Sequence, residues 1–173
     1  MIRLNSKDIA LSSFFLALGI LFPFIFHQFG IAGRIFSPMH IPVFLAGIFV
    51  GPVSGLLVGI LSPIISFLLT GMPPPYAVSL MAVELPLYGV SIGLLIKIKK
   101  FPLVLALIIS MLLGRAGFAL GLLILGALIN LPYGFFGYLQ ASFITGFPGI
   151  ILQLILIPLL VKGVGLTPKT SYK

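Results

Sequence analysis

Long apolar runs, interrupted by short clusters of Gly, Pro and basic residues, set the plan of this chain. A helix that crosses about 30 Å of hydrocarbon needs about 20 apolar residues. Six runs meet or approach that length. The first spans about 9–29, from "IALSSFFLALG" to "FIFHQF", and the second, about 38–51, "PMHIPVFLAGIFVG", is short for a full crossing. The third covers about 53–70, the fourth about 76–96, the fifth about 102–129 and the sixth about 141–161. The fifth is long enough to tilt or protrude. The pattern predicts an all-α integral membrane protein, a six-helix transmembrane bundle forming a single domain over residues 1–173.

Composition agrees. Of the residues, 60% are hydrophobic and 7% charged, against about a quarter charged in a soluble domain. Such a chain cannot cover a water-facing surface, so its surroundings are a lipid bilayer. The start, "MIRLNSKDIALSSFF", places a short basic region before an apolar one, as signal peptides do. The apolar run goes on for about twenty residues without a small-x-small cleavage site, which predicts a retained first helix.

The formal charge of +8 invites a nucleic-acid reading, and the positions refute it. Arg3, Lys7, Lys97, Lys99, Lys100, Lys162, Lys169 and Lys173 stand at helix ends or in short connections, which is how topology is written rather than how a basic groove is built. With the N-terminus inside, inner segments hold eight of the ten basic residues, Arg34 lies in an outer loop and Arg115 is buried. Both termini are thus predicted to be cytoplasmic. The outer segments "GIAGRIFSPMH", "TGMPPPY" and "NLPYGFFGYLQ" are rich in Gly, Pro and aromatics, residues suited to shaped lids as well as to plain connections. Gly47, Gly51, Gly55 and Gly59 recur every four residues, the spacing of close helix contact. Pro52 is expected to split that series into two helices meeting at a tight turn.

Catalytic chemistry finds little to work with. There is no cysteine, hence no disulfide, thiol nucleophile or thiolate metal site. Asp8 is the only aspartate, there is no HExxH, and no GxSxG elbow appears. His27 and His40 flank the first outer loop without a carboxylate at metal-ligand spacing. No enzyme, cofactor or metal site is predicted.

Two charges in the apolar runs need an account. "ISMLLGRAGFALGLL" holds Arg115 with no acid nearby in sequence, and Glu84 interrupts the fourth run. A charge at the bilayer centre costs about 2.5–3.5 kcal/mol on insertion scales, so it should face a partner or a cavity. One reading is a structural pair between antiparallel neighbours joined by "KIKK". The other makes both residues polar groups of a ligand pocket, with Tyr88 one turn from Glu84 on the same face. Asn130 and Tyr133 in the last outer loop and Gln153 in the sixth helix are further candidates, although a single membrane Asn or Gln more often serves an interhelical hydrogen bond.

The stretch "FSPMHIPVFLAGIFVGPVSGLLVGILSPIISFLLTG" carries an Ile-Pro early in the second helix, then a "GP" turn, then the third helix. In this, and over nearly its whole length, the chain resembles the substrate-binding S components of energy-coupling factor (ECF) vitamin transporters of the bacterial cell membrane. The resemblance implies tight outer-face binding of a vitamin or related micronutrient, toppling in the membrane, and delivery through a transmembrane coupling protein and two cytoplasmic ATPases. No P-loop is present, so ATP chemistry would come from those partners. Family members dock through an Ala-xxx-Ala stripe on the first helix, and here Ala10, Ser13 and Ala17 form a less regular stripe with Phe14 among them. The family's substrate region is the first outer loop and the outer halves of helices four to six, where Arg34, His40, Glu84, Arg115 and Asn130 fall. Two arginines and two histidines against one glutamate favour an anionic ligand, a carboxylate such as pantothenate or nicotinate. A scaffold resembling the rod-shape-determining membrane proteins, or a small stand-alone permease or channel, are the alternatives. The uniformly apolar inner halves of the helices speak against a channel.

Overall fold

In a computed structural model of the protein, residues 5–27, 38–128 and 134–164 are described. They form six helices and no strand: α1 Ser6–His27, α2 His40–Phe49, α3 Pro52–Thr70, α4 Pro75–Lys97, α5 Leu103–Leu128 and α6 Gly134–Gly163. Five are long and apolar enough to cross a membrane, and α2, with 10 residues, is the short one.

Local chemistry explains the helix ends. Asn5 and Asp8 bond reciprocally ahead of α1: the Asp8 amide donates to Asn5 Oδ1 at 2.9 Å and the Asn5 amide to Asp8 Oδ2 at 3.2 Å. This is the capping-box arrangement with Asn and Asp in its two roles. Between α2 and α3 stands Gly51 with φ 138, and Pro52 follows as the first residue of α3, where its missing N–H costs nothing. The Gly-Pro pair thus splits the four-residue glycine series into two helices, as its sequence predicts. Gly71, at φ 72, closes α3 and donates to the Phe67 carbonyl at 2.8 Å. The sixth helix differs from its expected start at 141. Helix α6 begins at Gly134, so much of "NLPYGFFGYLQ" is helical. No proline stands between Pro132 and Pro148, and the Gly and aromatic content that suggested a loop does not prevent a helix within an apolar bundle.

Helix α4 is the axis of the bundle. The backbones of Gly55 and Gly89 touch: a Cβ on Gly55 would lie 2.3 Å from the Gly89 carbonyl oxygen, and the reverse clash is the same. Gly47 also abuts the Gly89 carbonyl, Gly59 meets Pro86 and Gly93 meets Pro52. Helices α2 and α3 therefore lie against α4 along one glycine seam, at the close approach that small residues allow. Helix α5 packs on the other side, its Gly114 under the Tyr88 ring and its Gly117 under Leu87.

Helix α1 runs parallel to α3. Ser12 and Ser54 share a hydrogen bond at 2.7 Å, Gly19 sits on Ser62, and Phe15 stacks on Phe49 with ring centroids 6.1 Å apart. The rest of α1 faces outward: 17% of its span is buried, against 56% for α4.

Polarity in this bundle is the reverse of that in a soluble protein. Leu68, Leu112, Leu120, Leu128 and Phe136 are exposed, whereas His40, Glu84, Lys97, Ser110 and Gln153 are buried. Water would penalise so broad an apolar exterior. Lipid tails do not.

Candidate functional site

The depth of the site follows from the short helix. At 1.5 Å per residue, the 10 residues of α2 cover about 15 Å, half of a bilayer core. Its last carbonyls, those of Phe49 and Val50, accept hydrogen bonds from Lys97 at the end of α4. Its first residue, His40, must then lie about 15 Å from that end, and Tyr88, nine residues before Lys97, lies about 14 Å away along α4. The rings do meet, with centroids 5.3 Å apart, and Phe44 packs on Tyr88 at 5.1 Å.

One turn above Tyr88 is Glu84. The Tyr88 hydroxyl donates to Glu84 Oε1 at 2.6 Å, and Arg115 Nη1 reaches the same oxygen at 3.0 Å. The acid is 3% exposed and the guanidinium side chain 12%. Arg115 stands on α5 opposite Glu84, and Gly114 beside it leaves room for the Tyr88 ring. Helix α6 adds a third wall. A Cβ on Gly146 would lie 2.9 Å from Arg115 Nη2, so glycine lets α6 lie on the guanidinium. The result is a dry carboxylate–guanidinium–phenol cluster with an imidazole at its edge, built from α2, α4, α5 and α6. Charge-assisted bonds of this kind are short and strong, and Arg presents donors in a planar fork suited to oxygen pairs.

Of the residues singled out in the sequence, His40, Glu84, Tyr88 and Arg115 are brought together. Gln153 is buried at 3% but lies seven residues beyond Gly146 on α6, about 10 Å further along the axis, outside the cluster. Arg34, Asn130 and Tyr133 lie outside the described residues. The sequence reading missed Phe44, Gly114 and Gly146. Their signal was available in part, because a glycine inside an apolar helix marks close approach, and Gly114 directly precedes Arg115. On α1, Ala10, Ser13 and Ala17 all stand on the exposed face, with Phe14 at 55% exposure among them. Among the described residues no group of three or more His, Asp or Glu is placed to hold a metal ion.

Comparison with known proteins gives the cluster its setting. Neither a search of curated proteins nor one of solved structures returned a match. The family model described as "ECF transporter, substrate-specific component" matches residues 7–161, nearly all of the helical bundle. Members of that family bind a small substrate and work with a membrane-embedded complex, and the apolar exterior of these helices suits a multi-pass membrane protein. The chain belongs to the family of substrate-specific components of ECF transporters.

Proposed function

We propose that this chain captures a small water-soluble vitamin or related micronutrient at the outer side of the bacterial plasma membrane, for ATP-driven uptake by partner subunits. The observation that carries the reading is the buried Glu84–Arg115–Tyr88 cluster at the mid-membrane end of α2. A charged cluster in hydrocarbon is expensive, and in membrane proteins such residues mark substrate sites. The substrate is a carboxylate, pantothenate or nicotinate being the candidates by size, with Arg34, His40 and Arg115 supplying positive character and Asn130 and Tyr133 supplying further polar contacts.

Topology supports an outer site. Alternating helices bring Lys7, Lys97, Lys99, Lys100 and Lys162 to one end of the bundle, which the positive-inside rule makes cytoplasmic. Both termini are then inside and the start of α2 faces outward. The partners are a transmembrane coupling protein and two cytoplasmic ATPases. The small-residue stripe Ala10, Ser13 and Ala17, exposed on α1, is the docking face. No nucleic acid is involved.

The test is isothermal calorimetry of pantothenate and nicotinate on the purified, monodisperse chain. Saturable binding of either supports the reading. Absence of binding by both, together with no small molecule in a mass spectrum of the purified protein, contradicts it.

A further inference from the structure

We infer that Tyr88 is a positioning residue that gives the site its preference for an acid, its hydroxyl holding the Glu84 carboxylate against Arg115 while the arginine, not the phenol, meets the substrate; the inference rests on Arg115 being the group that receives the substrate's carboxylate. The Tyr88 hydroxyl and Arg115 Nη1 land on one atom, Oε1 of Glu84, at 2.6 and 3.0 Å. A glutamate reaches that point on a stem whose last torsion is broad and soft. An ion pair alone fixes one distance. A second donor on the same oxygen fixes its direction as well.

The phenol can hold the acid because it is itself held. Tyr88 is 2% exposed. On the α2 side the His40 and Phe44 rings lie 5.3 and 5.1 Å from its ring. On the α5 side Gly114 stands so close that a Cβ there would run into the Cδ1 and Cε1 carbons. Packing on both sides leaves the two side-chain torsions one setting. The single hydroxyl proton is committed to Glu84. Tyr88 also stands one turn further than Glu84 from Pro75, where α4 begins. On a path from the outer side, its ring lies below the ion pair.

Ring and hydroxyl do separate work. The ring joins α2, α4 and α5, and a phenylalanine would do the same. The hydroxyl acts on Glu84 and, through Glu84, on Arg115. Without it the guanidinium keeps its acid, but the acid is less constrained and the fork is less well aimed. Two-point recognition of a carboxylate needs the planar fork in register with both oxygens. The loss therefore falls on a substrate acid and spares an uncharged analogue of similar shape.

Calorimetry on the full chain measures pantothenate and nicotinate beside their uncharged counterparts, pantothenol and nicotinamide, on wild type and Tyr88→Phe. The acid that binds wild type should bind Tyr88→Phe about 10-fold more weakly, the low end for a hydrogen bond to a charged group. Its uncharged counterpart should change less than about twofold. Where that counterpart binds too weakly to measure, Tyr88→Phe is repeated on Arg115→Lys, and the loss for the acid should shrink to less than about twofold, because the coupling runs through the arginine. If Tyr88→Phe does not fold, Phe44→Leu takes its place, since it unclamps the ring and keeps the hydroxyl, and the same pattern is expected. Equal losses for acid and counterpart, equal losses on both arginine backgrounds, or no loss at all overturn the inference and leave the substrate-binding reading standing. No binding of either acid to wild type sinks that reading, and the inference falls with it.

Discussion

Among the described residues, buried Lys97 and largely buried Arg115 are satisfied in opposite ways. Lys97, 6% exposed, donates to the backbone carbonyls of Phe49 and Val50, the last acceptors of α2. Arg115, 12% exposed, meets the side-chain carboxylate of Glu84 on a neighbouring helix. The carbonyls at a helix C-terminus have no intrahelical donors and carry the negative end of the helix dipole, so a lysine there needs no acid. That arrangement pins the end of α2 to the end of α4. The arginine cluster is a discrete ion pair at mid-depth, with a phenol on the shared oxygen and a glycine on the flank. One cation joins two helix ends. The other stands in the cluster proposed to meet the substrate.

The largest effect expected from this contrast is on stability. Glu84→Leu leaves a guanidinium buried without its acid and should cost about 3–5 kcal/mol, whereas Glu84→Leu combined with Arg115→Leu should cost far less, because replacing both members of a buried pair is often neutral. Urea or thermal unfolding in detergent measures both. Equal losses would mean that the pair is not what holds α4 to α5.

Next in size is affinity. Arg115→Lys should cost about 2–5 kcal/mol of substrate binding, that is ~30-fold or more, with little change in unfolding temperature, since lysine keeps the charge and loses the fork. Lys97→Met should reverse the pattern. It should lower stability by about 1–3 kcal/mol, the worth of hydrogen bonds from a charged donor, and leave substrate affinity unchanged. Calorimetry and unfolding on the two variants side by side would break the comparison if both lost the same property.

The smallest effect concerns the outer face of α1. Ala17→Phe adds bulk to an exposed position and should leave both folding and substrate affinity as they are, while weakening co-purification with the coupling protein. Unaltered assembly would remove the docking role from the Ala10–Ser13–Ala17 stripe.

Much of the plan was legible because a membrane simplifies the code. Apolar run lengths located the helices, and Pro52 after Gly51 located the break between α2 and α3. The i, i+4 spacing of Glu84 and Tyr88 placed them on one face, and their hydrogen bond follows. Spacing within a helix does not report what lies across from it. Lys97 therefore read as one more topology charge, although its chain length lets it reach back to a helix end 47 residues away. Arg115 met Glu84 because α4 and α5 are antiparallel neighbours, which the short "KIKK" connection made readable. The approach of α6 through Gly146 was not readable, since a glycine in an apolar run does not say which helix it faces. The early start of α6 escaped for a different reason: Gly weakens a helix in water but is common in helices inside lipid.

The most direct test of the contrast is substrate binding by the Glu84→Gln/Arg115→Gln double variant, measured by calorimetry on monodisperse protein with the vitamin that binds wild type best. The account predicts a folded protein whose affinity has fallen by ~30-fold or more. Wild-type affinity in that folded double variant would contradict it, because Arg115 and Glu84 would then be architecture like Lys97, and the substrate would be read elsewhere.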